Sequence, residues 1–316
     1  MGDPVAAVLV ALGGCLAVLL GASFVLAAVY VGWTFVRWRR SAGAAASDGR
    51  SAARSAATAE WVSAGALLAL HPLGMLDAPS PTERRLERGR PILLVPGFFQ
   101  VRSSLALLAA RLSALGLGPI YTLNLHPLRG GLDRQAEGIS RRIDEIRAAT
   151  GARHVDVVAH STGGLAVRLA ELGRAQPRIR RLVTLGTPHR GTERPLGPGP
   201  LARDAQASSD AVLRLPNPPA GQLVSIASDQ DFVVPRERAV VMPVGRDIRV
   251  SRVGHLGLLT DRGVAEEVIK ALGEDLHVRG VAEIFEGVEV PDPELAAPRV
   301  YRDARERGRL SVSESG

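Results

Sequence analysis

An α/β fold, with a mostly parallel sheet and helices on both faces, is what this sequence predicts, and three observations lead there. Short apolar runs such as Pro91-Ile-Leu-Leu-Val95 and Val155-Asp-Val-Val-Ala159 read as strands buried on both sides. Amphipathic runs alternate with them, the clearest being Leu132 to Thr150, with Ile139, Ile143 and Ile146 on one face. Glycine and proline punctuate the joins. Strands alternating with helices imply parallel pairing, because a parallel connection must cross back over the sheet.

Composition sets the outer limits. A chain of 316 residues holds one large α/β domain plus appendages, or two small domains. The 46% hydrophobic content and mean hydropathy of +0.10 are high for a soluble enzyme, and the excess sits at the N-terminus. The formal charge of +7 is carried almost wholly by arginine, since Lys270 is the only lysine. Those arginines are scattered among acids with no basic stripe interleaved with aromatics, which excludes a nucleic-acid partner. Cys15 is the single cysteine, so neither an internal disulfide nor a cysteine-based zinc site can form. The seven histidines fall into no metal-ligand spacing, and neither metal nor cofactor is expected.

Taken in order, the chain starts with an uncharged apolar run from Val5 to Val36, longer than the roughly 20 residues that cross a bilayer. Arg37-Trp38-Arg39-Arg40 follows as an interfacial anchor, so residues 1–40 read as a transmembrane anchor with a basic flank. No lysine or arginine precedes the run, unlike the basic start of a cleaved signal peptide. Arg37, Arg39, Arg40, Arg50 and Arg54 all lie after it, which places the remainder of the chain on the cytoplasmic side. Residues 41–80 read as an Ala/Ser/Gly/Arg-rich linker to Thr58, then a helix from Glu60 to Leu76 with Trp61, Ala64, Leu67 and Leu68 in helical register. Ala78-Pro-Ser-Pro-Thr breaks the chain ahead of a compact domain spanning 81–279.

Within that domain a strand from Arg90 ends in the turn Pro96-Gly97-Phe98-Phe99. A helix follows at Ser103 to Leu115, a strand at Ile120 to Leu125, and the amphipathic helix to Thr150. The Val155 strand ends abruptly at His160-Ser161, followed by Thr162-Gly163-Gly164 and a helix from Leu165. Further strands are expected at Arg180 to Leu185, Leu223 to Ala227 and Ile248 to Val253, and a final helix at Asp261 to Leu272. The Pro- and Gly-rich interval of about 191–220, with a short helix at Leu201 to Leu213, has the look of a modest lid. Residues 280–316 read as an extended tail.

A serine on a sharp strand-to-helix turn needs small neighbours, and Ala159 and Gly163 supply them. The stretch Ala159-His-Ser-Thr-Gly-Gly164 resembles the nucleophile elbow of the α/β-hydrolases, in the form carried by the lipase and esterase branch. The superfamily's order is serine, then acid, then histidine. Ser228-Asp229-Gln230-Asp231-Phe232-Val-Val-Pro235 resembles its acid loop, with Asp231 at the matching position and Asp229 as the runner-up. Val253-Gly254-His255-Leu256-Gly257 resembles its base loop. The resemblance, covering Pro91 to Leu272, implies an α/β-hydrolase fold with Ser161 as nucleophile, His255 as base and Asp231 as the orienting acid. It also implies an oxyanion hole from the Thr162 and Phe98 amides, with Phe98 in the turn where the family usually has His-Gly. Phe98, Phe99 and Phe232 are candidates to line the acyl pocket or equally to be core. His160, beside the nucleophile where the family usually has His or Tyr in a packing role, is a further pocket candidate, and His189 recurs in lipases as a structural or site-lining residue. The implied activity is hydrolysis of a small-molecule or lipid ester, with acyl transfer, thioester hydrolysis or a catalytically silent membrane module as alternatives. Many similar lipases are exported, which points to the opposite side of the membrane from the charge asymmetry.

Overall fold

The computed structural model describes residues 47–75, 89–125 and 130–273, with gaps at 173, 175, 194, 218–221 and 240–244, plus isolated helical positions between 13 and 36. The tail at 280–316 and most of the apolar run at 5–36 therefore lie outside the described residues. Among the described residues no helix is long and apolar enough to cross a membrane.

The core is a six-stranded sheet in the order β2-β1-β3-β4-β5-β6, parallel at every pairing. Its strands are β1 (Ile92–Val95), β2 (Ile120–Thr122), β3 (Val155–His160), β4 (Ile179–Leu185), β5 (Leu223–Ser228) and β6 (Arg246–Val250). Alternation along the strands sorts side chains onto two faces. Ile92 and Leu94 join one core together with α2 (Ala106–Ala114) and α8 (Arg262–Gly273). Leu93 and Val95 join the other, against α3 (Leu132–Thr150) and α4 (Thr162–Ala170). Helix α3 occupies the span read from its periodicity and buries Leu132, Ala136, Ile139, Ile143 and Ile146 along one stripe. Removing most of an isoleucine from such a stripe costs about 2–5 kcal/mol. These two layers hold every strand so that its C-terminal end opens onto the same rim, where ligands of parallel sheets bind.

Several boundaries differ from the sequence reading. The helix before the domain, α1 (Ser47–Met75), starts well ahead of Glu60, so most of the stretch read as linker is helical. Alanines at 52, 53, 56, 57 and 59 favour helix strongly enough to override the scattered serines. The helix expected from Ser103 opens as a 3₁₀ turn at Arg102–Leu105. The second strand stops at Thr122, and the last one covers Arg246–Val250. The single helix expected at Leu201 to Leu213 is two short ones, α5 (Pro200–Asp204) and α6 (Asp210–Leu213). They are separated where Ala207 N–H donates to Thr192 O at 2.9 Å and where Ser209 Oγ caps the second by accepting from Val212 N–H at 3.2 Å. A further short helix, α7 (Arg236–Ala239), follows the acid loop.

Candidate active site

The rim formed by the ends of β1, β3, β5 and β6 gathers the sequence-singled residues. Ser161 follows β3 with φ 52° and ψ −131°, a left-handed conformation that side-chain-bearing residues adopt at a cost of about 1–3 kcal/mol. The fold holds it there. Ser161 N–H donates to Leu185 O at 2.9 Å, and Thr187 Oγ1 donates to Ser161 O at 2.8 Å. Gly163 has no room for a side chain, since a Cβ there would stand 2.4 Å from Pro96 O. Gly97 is equally confined, at 2.8 Å from Ser161 Cβ. The turn after β1 and the elbow after β3 are thus pressed together. That contact sets the amide-bearing residues Phe98 and Thr162 on adjoining segments, with Thr162 opening helix α4.

Asp231 and His255 are directly paired, with Nδ1 of the ring 2.6 Å from Asp231 Oδ2. The other carboxylate oxygen, Oδ1, accepts the amides of Val233 at 2.8 Å and Val234 at 2.7 Å. With Nδ1–H committed to the carboxylate, the basic face of the imidazole is Nε2. Burial pulls the His255 pKa down, but the Asp231 charge and hydrogen bond, helped by the Glu60 charge, raise it above the ordinary histidine value. Gly186, at the end of β4, locates this pair beside the elbow: a Cβ there would lie 3.0 Å from Asp231 Oδ2 and 3.1 Å from His255 Nδ1. Asp229 is engaged elsewhere, held by the Arg249 guanidinium at 2.7 and 2.8 Å.

His160 stands between the turn and the base loop. Its Nδ1 is 3.0 Å from Gln100 Oε1, which also accepts the Gly97 amide at 2.7 Å, and its Nε2 is 3.0 Å from His255 O. The His160 and His255 rings lie 4.6 Å apart. Burial, with the neighbouring His255 charge, holds His160 well below the ordinary histidine pKa. Being fully buried, it braces the site rather than facing an open cleft, and Phe232 is likewise buried. Of the pocket candidates, Phe99 is the exposed one, at 47%. The Pro- and Gly-rich interval reaches this same corner, where a Cβ on Gly197 would meet the Phe98 ring at 2.6 Å. His189 is buried and fixed by Thr184 Oγ1 at 2.9 Å, with burial and the neighbouring Arg168 taking its pKa to about 3. Among the described residues no group of histidines, cysteines and acids could hold a metal ion.

Two participants were not singled out from the sequence. Gln100 ties the turn after β1 to His160, and nothing in its local pattern marks it. Glu60, from α1, accepts the amides of Leu256 and Gly257, both at 2.9 Å, immediately after His255. It is the sole acid between Ser55 and Leu76, which marks it as unusual without indicating the distant loop it meets.

A parallel sheet with a strained serine after one central strand and an acid–histidine pair after two later ones defines the α/β-hydrolase fold. Lipase B of Aspergillus fumigatus shares it with a TM-score of 0.50 at 16% identity, over 57% of this chain and 52% of that one. The mature Bacillus licheniformis lipase BlEst2 is also similar, with a TM-score of 0.45 and 17% identity over 62% of this chain and 94% of that one. In sequence, the chain is 34% identical over 76 residues to triacylglycerol lipases of Pseudarthrobacter phenanthrenivorans and Burkholderia plantarii. Those 76 residues are 23% of this chain and 24% and 21% of the two relatives, so it spans less than a quarter of their length. No family model matches the chain.

Proposed function

We propose that this protein is a serine hydrolase that cleaves carboxylic esters, lipid-like ones foremost, through a covalent acyl-enzyme. The observation that carries the reading is the Asp231–His255 pair at 2.6 Å beside a serine held at φ 52°. Ser161 Oγ attacks the ester carbonyl while His255 Nε2 takes its proton. Asp231 keeps the ring in the required tautomer and balances the imidazolium that forms. The tetrahedral oxyanion is received by the amides of Thr162 and Phe98, each donor worth about 3 kcal/mol. His255 then returns the proton to the departing alcohol, and water repeats the sequence on the acyl-serine. The exposed Phe99 and the lid corner by Phe98 offer apolar surface to the acyl chain. The partial likeness to triacylglycerol lipases supports the same substrate class.

The apolar run at 5–36 with its basic flank is read as a membrane anchor, with the catalytic domain cytoplasmic by the charge asymmetry. Such an anchor would hold the domain beside its lipid substrates. A chain-length series of p-nitrophenyl esters on the wild type and Ser161→Ala tests the chemistry. Turnover that rises with acyl length and is lost in Ser161→Ala is expected; undiminished turnover in the variant would remove Ser161 from the mechanism.

A further inference from the structure

The helix that precedes the hydrolase domain sends one charged side chain into the interior. Glu60 has no exposed surface, and each of its carboxylate oxygens takes a backbone amide from the base loop: Oε1 from Leu256 and Oε2 from Gly257. The loop is shaped to receive it. A Cβ on Gly254 would stand 2.4 Å from Glu60 Oε2 and 2.7 Å from its Cδ, so glycine at that position leaves the space the carboxylate fills. Ser63, one turn along the same helix, bonds Thr260 Oγ1 at 2.7 Å and fastens the far end of the loop. His255 lies between Gly254, which makes way for the carboxylate, and Leu256, which donates to it.

A buried carboxylate that accepts the two amides directly after the base, from a helix outside the sheet, is more than a packing contact. We propose that Glu60 is a positioning residue for the catalytic base: it fixes the His255 loop from behind and sets a second negative charge near the imidazole, complementing Asp231. The proposal rests on the triad reading given above. Ordinary capping of a loop would hold the backbone alone. A carboxylate in this place also favours the imidazolium that forms as the serine proton is taken, an effect that a low-dielectric interior magnifies.

The groups facing the imidazole are Asp231 from the loop after β5, His160 from the end of β3, and Glu60 from α1. Those facing Glu60 are His255, Asp231 and Tyr30, whose hydroxyl donates to Glu60 Oε1 at 3.4 Å. Arg111 lies further along, on the carbonyls of Thr260 and Asp261 at 2.8 and 3.0 Å. Burial pushes the Glu60 pKa up to about 7, against the pull of the two amides and of His255. Its charge is therefore complete only on the alkaline side of neutrality.

Two variants test this in the full-length chain, with p-nitrophenyl butyrate as substrate, a fluorophosphonate as Ser161 label and thermal unfolding as the measure of folding. Glu60→Gln keeps the shape and removes the charge. Gly254→Ala leaves every ionisable group in place and pushes the carboxylate off the loop. Both should lower kcat on the alkaline plateau by about tenfold with little change in KM, because they act on a charge that matters most in the transition state. Glu60→Gln should also move the acid limb of kcat/KM to lower pH by about half a unit or more, since the negative charge that favours imidazolium is gone. The double variant should be little worse than either single one. If both variants fold and label, yet keep the wild-type limb and plateau, Glu60 has no part in positioning the base. If Glu60→Gln does not fold, Gly254→Ala alone decides by its plateau rate. A wild type that the fluorophosphonate fails to label at Ser161 would instead bring down the triad reading, and this proposal with it.

Discussion

At the scale of single residues, the acid is where geometry discriminates. The sequence left both Asp229 and Asp231, two acids separated by Gln230 in the same loop. In the fold the first faces Arg249 and the second faces His255. Asp231→Asn should lower kcat by about ten-thousand-fold, as loss of the acid leaves the imidazole in the wrong tautomer. Asp229→Asn, which gives up a partly exposed ion pair, should change activity less than about threefold. The same pair fixes the pH dependence. His255 must be neutral to accept the serine proton, and Asp231 favours its protonated form, so activity is lost as pH falls through a midpoint above the usual histidine value. A pH profile of kcat/KM with its acid midpoint well below 6.5 would contradict that sign.

At the scale of elements, the ends of β1 and β3 are pressed together. Gly163 approaches Pro96 O so closely that a methyl group must displace either the elbow or the turn. Gly163→Ala should lower kcat by about a hundredfold, the size of effect that a 1 Å misplacement produces. The measurement is kcat alongside a melting curve, because a loss confined to stability would mean the amides had kept their places. The strands and α3 were legible in the sequence because apolar runs and a 3.6-residue period are local signals, and Ile139, Ile143 and Ile146 face one core as their spacing indicated. The length of α1 was not, because serine, glycine and arginine around residue 50 resemble a linker while helix propensity is the quieter signal. Phe232 was open between pocket and core and His160 between pocket and packing, and the tertiary fold buries both. Glu60 was hidden for a related reason: its partners at Leu256 and Gly257 lie almost 200 residues away in the chain, and no local pattern encodes that meeting.

At the scale of the whole molecule, two compartments of the sequence carry different information. The hydrolase domain is described by its own packing, while the anchor reading rests on the run at 5–36 and its following arginines. The helix between them touches the His255 loop through Glu60 and Ser63. Protease treatment of spheroplasts should leave the domain intact until the membrane is opened, as the charge asymmetry requires. Digestion in sealed spheroplasts would put the domain outside.

The most direct test of the central claim is covalent. Incubated with a fluorophosphonate, the wild type should take up one label per chain, on the peptide containing Ser161, and Ser161→Ala should take up none. Labelling that persists in Ser161→Ala, or that maps to another serine, would contradict the assignment of Ser161 as the nucleophile.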